Sequence, residues 1–308
     1  MPRGRGLLIY NPTAGKRDRR VEMRGVMERA DRQGLSLLNL PTERAGHATD
    51  LVRRYLPEGP DVVAVCGGDG TVGEAAAALV GCATPLAVLP GGTTNVIARE
   101  YGLGKTVAQA EAHLTSSVTR KLTAWTNGHR VSLIGTGVGF DARVMTNIIP
   151  VLKRLFGRTG ISYTATMEWL KYEFPEIAVR GLDADGKPFE RTATFVLSAN
   201  TRRYGGEPIL SPFADPEDDL LDLVLFTSRS RLSLFRFYAR LSGGKAEQLR
   251  VEGVERFPVR QFTAESRAGY ELEVQVDGDA AGTTPVTVGP SLGSVRIVVP
   301  DPAAPGRP

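Results

Sequence analysis

Short apolar runs alternate with amphipathic stretches through the first 125 residues. GLLIYNP reads as a strand ending in a loop, and 19–33 as a helix that turns Val21, Met23, Val26, Met27 and Ala30 towards a core. LSLLNL predicts the next strand and 48–55 a second helix. DVVAVC is uniformly apolar and rich in β-branched residues, the composition of a strand covered on both faces. GGDG follows, then an alanine-rich helix over 72–80, the strand PLAVLP and a helix over 95–101. This alternation predicts an α/β, doubly wound parallel sheet with right-handed crossovers. Ligands of such a sheet lie beyond the carboxyl ends of its strands.

Past Trp125 the pattern changes. RVSLIGTGVGF, EIAVRGL, FERTATFVLSA, LLDLVLF, YELEVQV and SVRIVVP follow one another as strand-like runs, and the turn signal DADG joins two of them as a hairpin. The expected organisation is a first domain over 1–125 and a mainly antiparallel, β-sandwich-like domain over 126–293. Helical insertions fall near 145–172 and 230–242, and a proline-rich tail over 300–308 is expected to be disordered.

Composition narrows the classes without choosing among them. The 308 residues, 42% hydrophobic and 23% charged, are enough for about two domains. Two cysteines, Cys66 and Cys82, provide no disulfide framework, and a reducing cytoplasm is the expected setting. The apolar stretch at 7–10 is too short for a signal-peptide core. The longest near-uncharged stretch, 75–90, is interrupted by Gly81 and Pro85 and predicts a buried helix, loop and strand, not a membrane span. A net charge of +4 suits an anionic partner, and no helix-turn-helix, zinc-finger or stacked-aromatic signature points to nucleic acid. His47, His113 and His129 are scattered and predict no metal cluster.

The sharpest local signal is VVAVCGGDGTVGEAAAAL, a buried strand running through Gly67, Gly68, Asp69, Gly70 and Thr71 into a helix that continues with Val72 and Gly73. Glycines let backbone N–H groups approach phosphate oxygens, and a helix N-terminus adds free donors and positive partial charge. Asp69 makes chemical sense there if it orients Mg²⁺ or a donor in phosphoryl transfer. The plainer alternative is a tight strand–helix turn capped by Asp or Thr. Gly68, Gly70 and Gly73 also fit G-x-G-x-x-G, but the motif follows the third strand and Asp69 would face a pyrophosphate. A Walker A reading of TAGKR lacks glycine at Tyr10 and Ser or Thr at Arg17. Two more loops end strands of the same sheet, NPTAGK and PGGTTN; Lys16 in the first offers a positive charge to phosphate or is a solvated surface lysine.

NPTAGK, GGDGTVGE and LPGGTTN, in that order, resemble the catalytic domain of the diacylglycerol kinase family, which includes bacterial lipid kinases and sphingosine and ceramide kinases. The resemblance continues through GTGVGFDA, RRYGGEPILSPFADPEDDLLDL and VQVDGD and covers nearly the whole chain. It implies an N-terminal nucleotide-binding domain in which Asn11, Thr42, the loop 67–73 and Thr93 contact ATP. It implies a structural Mg²⁺ held by the Asp218 carboxylate and the carbonyls of Asp215 and Leu220, oxygen ligands that suit a hard cation. It also implies that the strand 294–299 returns to the first domain.

VQVDGDAAG by itself reads as a hairpin turn. The resemblance makes its acids the proton acceptors for a lipid hydroxyl, with Asp279 at the position of the family's glutamate and Asp277 beside it. Val96 stands where the family commonly has Asp, and Asp219 where it has Gly. The expected activity is ATP-dependent phosphorylation of a lipid hydroxyl, with the active site in a cleft between the domains, on a protein peripherally bound to the inner membrane surface. A homodimer is a further expectation. An NAD kinase-like enzyme and a nucleotide-binding regulator without catalysis stand as the alternatives. For membrane contact the candidates are 148–171, with Leu152, Leu155, Phe156 and Trp169 among Lys153, Arg154 and Arg158, and SRSRLSLFRFYAR, with Leu232, Phe235 and Tyr238 at helical spacing. The plainer reading of the second is a helix packing its apolar stripe on the core.

Overall fold

The computed structural model describes residues 4–15, 18–147, 158–242 and 251–302, and all of their side chains except those of 158–162, 242 and 292. The chain divides into two compact units, 1–124 with 291–308, and 125–290.

In the first unit, strands β1 (Gly4–Tyr10), β2 (Leu35–Pro41), β3 (Val62–Gly67) and β4 (Leu86–Pro90) form a parallel sheet in the order β2-β1-β3-β4. The long strand β15 (Val286–Val298) joins next to β4, parallel to it through Ile297 and Leu86, and also pairs with β5 (Thr119–Thr126). Every residue of β3 is buried, as its uniform apolar composition requires. Helix α1 (Arg20–Arg32) turns Met23, Val26 and Ala30 inwards onto Leu8, Tyr10 and Ala64, while Val21 is exposed. Helices α2 (His47–Tyr55), α3 (Asp69–Leu79), α4 (Val96–Glu100) and α5 (Val107–Glu111) complete the unit. Helix α3 begins three residues before the 72–80 predicted from its alanines, so Asp69, Gly70 and Thr71 form its first turn.

The second unit is an antiparallel assembly with helices against it. β13 (Glu273–Val276) lies between β14 (Asp279–Thr283) and β7 (Thr136–Val138). The sheet continues from β7 through β10 (Phe195–Ala199) and β11 (Leu221–Phe226) to β12 (Val254–Ser266). The hairpin of β8 (Ile177–Asp183) and β9 (Pro188–Ala193) pairs with β12. Alternate residues explain the continuous apolar runs, because both sheet faces are buried. Val196, Leu221, Leu223 and Leu225 face a core shared with Val138, Phe262 and Val274. Phe195, Leu197, Val224 and Phe226 face Phe140, Val144, Leu234 and Phe237. Those last residues belong to helices α6 (Phe140–Asn147) and α8 (Arg231–Ser242), with α7 (Arg158–Lys171) between them in sequence.

Two predicted runs are broken. FERTATFVLSA divides at Thr194, whose hydroxyl donates to the carbonyls of Phe226 and Ser228 and whose N–H donates to Phe226 O. RVSLIGTGVGF divides into β6 (Val131–Ser132) and β7, and its end, with Phe140, starts α6. The intervening backbone wraps around the Asp277 carboxylate. Residues 303–308 of the predicted tail and 148–157 of the first membrane-contact candidate lie outside the described residues.

Candidate active site

Because β1 to β4 are parallel and in register, their carboxyl ends share one rim: Tyr10 pairs with Pro41 and Cys66, and Gly67 with Pro90. The loops continue the ladder there. Asn11 N–H donates to Cys66 O (3.0 Å), Thr42 N–H to Tyr10 O (2.8 Å) and Gly91 N–H to Gly67 O (2.9 Å). The loop holding Asn11, the residue Thr42, the glycine loop Gly67 to Gly73 and the loop holding Thr93 therefore occupy one edge. Asn11 uses its side-chain oxygen locally, accepting from the N–H and hydroxyl of Thr13. Thr93 is exposed. Lys16 lies outside the described residues.

Glycine is required at this rim for a reason the sequence does not expose. A Cβ on Gly92 would lie 2.5 Å from the Cα of Gly68, and one on Gly91 would lie 3.0 Å from the N of Gly67. The paired glycines of two loops thus touch backbone to backbone. Asn95 secures the second pair from a left-handed conformation (φ 48°), accepting from Gly92 N–H and donating to Gly92 O, each at 2.9 Å.

Three charged side chains tie the loops together. Arg19 donates to Ala14 O (3.1 Å) and Gly91 O (2.9 Å), linking the first loop to the third. Asp69 accepts from the Thr94 hydroxyl (2.5 Å) and Val96 N–H (2.7 Å), linking the glycine loop to the start of α4. Burial pushes its carboxyl above the usual range, and these hydrogen bonds pull it back. Glu74 accepts from Gly46 N–H (2.7 Å) and Ala48 N–H (3.2 Å), capping α2 and fixing the end of the second loop. At the rim itself the first turn of α3 presents N–H groups that a helix cannot satisfy internally. That array attracts anions.

In the second unit the two hairpin acids have opposite environments. Asp277 and Gly278, both at positive φ (53° and 90°), make the two-residue turn between the paired residues Val276 and Asp279. The Asp277 carboxylate is enclosed. It accepts from the Ser132 hydroxyl (3.0 Å) and from the N–H groups of Leu133 (2.8 Å), Ile134 (2.9 Å) and Gly135 (2.9 Å). This is the carboxylate that interrupts the predicted strand. Burial raises its pKa, and the four donors oppose that rise. Asp279 is exposed, and its carboxylate makes no hydrogen bond or ion pair among the described residues.

The acidic segment before β11 is also in this unit. Asp218 N–H donates to Asp215 O (3.2 Å), and Leu220 N–H donates to the Asp218 carboxylate (3.0 Å). Burial and the neighbouring acids Asp215, Asp222 and Asp219 raise the pKa of Asp218. Accumulated negative charge beside carbonyl oxygens is a donor set that fits a hard cation. Among the described residues no group of three or more His, Cys, Asp or Glu side chains could hold a metal, so such a site needs main-chain oxygens.

Sequence reasoning missed Arg19 and Glu74. Arg19 carries no local signal, because its partners lie on two loops. Glu74 stands inside GGDGTVGE, but its partners arrive from a different helix.

The SRSRLSLFRFYAR stretch divides its apolar residues between two faces. Leu234, Phe237 and Leu241 are buried and Tyr238 packs beside them, while Leu232 and Phe235 are 54% and 58% exposed. The Trp169 ring of α7 lies 6.2 Å from that of Phe235, and its indole N–H donates to Arg231 O. Arg231, Arg236 and Arg240 are exposed on the same helix. No helix among the described residues is long and apolar enough to cross a membrane.

Comparison with known proteins agrees with this arrangement. Residues 5–126 match the diacylglycerol kinase catalytic domain, and 134–301 match the YegS C-terminal NAD kinase beta sandwich-like domain. A diacylglycerol kinase of Mycobacterium tuberculosis is 26% identical over 311 residues, covering 96% of each chain. One of Bacillus subtilis is 23% identical over 285 residues, covering 91% of each. A crystal structure of a diacylglycerol kinase from Bacillus anthracis superposes with a TM-score of 0.73 at 22% identity, covering 98% of each chain. With both halves matched in order, the chain belongs to the diacylglycerol kinase catalytic-domain family of lipid kinases, with the YegS-type C-terminal domain.

Proposed function

We propose that the chain transfers the terminal phosphoryl group of ATP to the hydroxyl of a lipid. The observation that carries this reading is the exposed Asp279 carboxylate, presented by a turn whose other acid is fully committed to the fold. A proton acceptor must have a free lone pair, and of the two hairpin acids Asp279 has one.

The loops of the first unit hold the nucleotide. N–H groups at the start of α3 bind phosphate oxygens beside the Gly91–Gly92 loop, with Asn11, Thr42 and Thr93 at the edges. ATP enters as its Mg²⁺ complex. Asp69, whose oxygens are taken by Thr94 and Val96, holds two phosphate-binding loops in register. The lipid hydroxyl gives its proton to Asp279 as its oxygen attacks the γ-phosphorus in line and ADP leaves. A structural Mg²⁺ would be held by the Asp218 carboxylate with the carbonyls of Asp215 and Leu220. It would supply charge neutralisation to the acidic loop.

A lipid acceptor requires access to a bilayer. The exposed Leu232 and Phe235, among Arg231, Arg236 and Arg240, suit shallow insertion beside anionic headgroups. This supports peripheral association with the inner membrane surface.

The test is incubation of the purified chain with γ-labelled ATP, Mg²⁺ and either mixed micelles of diacylglycerol in a total lipid extract or NAD. Label in a lipid is the expected result. Label only in NADP, or tight ATP binding with transfer to no acceptor, would overturn the reading.

A further inference from the structure

Asp141 is a charged residue in an apolar segment, GVGFDA, only 3% exposed. Its partner is the buried side chain of Gln275, whose Nε2 donates to Asp141 Oδ2 at 2.9 Å. The other end of the same amide, Oε1, accepts from Gly278 N–H at 2.7 Å. Gly278 is the second residue of the turn that precedes Asp279. A backbone N–H can only donate, so the Gln275 oxygen must face Gly278 and its nitrogen must face Asp141. Asp141 therefore needs an accepting oxygen at that point.

Room for the pair is reserved by a third element. A Cβ on Gly137 of β7 would lie 2.7 Å from both Asp141 Oδ2 and Gln275 Nε2. Three elements thus converge on one side-chain amide: α6 with Asp141, β13 with Gln275 and β7 with Gly137. The hairpin already has Asp277 N–H bonded to Gly135 O (2.9 Å). The amide adds an independent hold on Gly278, one residue closer to Asp279.

We propose that Asp141 and Gln275 are positioning residues of the phosphoryl-transfer reaction, a two-bond chain that fixes the turn presenting Asp279. The proposal rests on Asp279 as proton acceptor. Neither residue touches the substrate; both act through the backbone of Gly278. Loss of the chain leaves Asp279 in place chemically and lets its backbone wander. Near-attack geometry is sensitive to such displacements, so turnover falls while nucleotide binding persists.

Kinetics and amide exchange on the full chain test this. Gln275→Leu removes both hydrogen bonds; kcat should fall about 10- to 100-fold with the KM for ATP unchanged. Asp141→Leu should match it, and the double variant should be no worse than either single one. Asp141→Asn still presents an oxygen to Gln275 and should keep kcat within about threefold of the parent. If Gln275→Leu does not fold, amide hydrogen exchange in Asp141→Leu decides. Gly278 N–H should exchange at least about tenfold faster while Asp277 N–H keeps its protection. Parental kcat in Gln275→Leu, loss of activity in Asp141→Asn equal to that in Asp141→Leu, or unchanged Gly278 exchange in Asp141→Leu would overturn the proposal. Asp279→Asn separates the two readings. Retained turnover in that variant refutes Asp279 as acceptor, whereas its loss beside full activity in Gln275→Leu refutes only the positioning chain.

Discussion

The glycine-loop rim of the first unit and the acidic hairpin of the second solve opposite problems with the same side chain. At the rim, Asp69 stands in the most recognisable phosphate-loop motif of the chain, and its two oxygens are taken up by Thr94 and Val96. At the hairpin, Asp277 is likewise taken up, by four donors, but its neighbour two residues on is left open to solvent. The contrast teaches that an aspartate's role is decided by how many donors reach it. An acid whose oxygens accept hydrogen bonds from neighbouring loops organises those loops. An acid with none is available for proton transfer.

The contrast is tested most severely, for stability, by neutralising each hairpin acid in turn. Asp277→Asn keeps the left-handed conformation that Asn tolerates, but sets an NH₂ group against backbone donors. We expect a loss of at least roughly 2–3 kcal/mol, given about 1–3 kcal/mol for each buried group left unsatisfied. Thermal denaturation should show a fall of several degrees, and an unchanged midpoint would contradict the organising role. Asp279→Asn should leave the midpoint where it is.

Asp141 offers a pH-dependent version of the same test. Burial pushes its carboxyl up to about 7 from an ordinary value of 3.8, with the Gln275 hydrogen bond opposing. The folded protein then binds a proton at Asp141 that the unfolded chain releases, so the contribution of Asp141 to stability is fully present below about pH 4 and is lost as pH rises through about 7. Asp141→Asn removes that decline. The difference between parent and variant should grow by a few kcal/mol between pH 4 and pH 8. Equal slopes in chemical denaturation across that range would refute it.

At the rim, Gly92→Ala forces a methyl group against the Gly68 backbone, 2.5 Å away in the present geometry. Overpacking of this kind costs roughly 1–3 kcal/mol. Because the strain falls between two loops assigned to phosphate, the KM for ATP should rise about tenfold at least. Glu74→Gln is the mildest change. It keeps one acceptor for Gly46 or Ala48 and loses the charge at the start of α2. We expect about 0.5–1 kcal/mol in stability and a small rise in the KM for ATP.

The architecture was legible because burial on both faces leaves an unmistakable mark. β3 is a continuous apolar run, β10 and β11 are apolar but for Ser198 and Asp222, and the parallel and antiparallel halves differ in whether helices or turns separate them. The hairpin at Asp277 and Gly278 was legible from the D-G pair. The limits were equally physical. Hydrogen bonds between residues 142–144 positions apart, as between Asp277 and the 133–135 backbone, leave no periodicity. RVSLIGTGVGF therefore read as one strand. The start of α3 was set too late because Gly70 and Thr71 are weak helix formers whose place is decided by the capping geometry at Gly68. The glycines of the 67–73 loop were read as clearance for phosphate, although Gly67 and Gly68 also serve contact with Gly91 and Gly92.

The most direct test is phosphoryl transfer from γ-labelled ATP to lipid by Asp279→Asn, with ATP affinity measured on the same preparation. A fall in kcat of about 10²- to 10⁴-fold, the range for a general base, is expected, with ATP affinity and thermal midpoint unchanged. Transfer at the parental rate by that variant would contradict it.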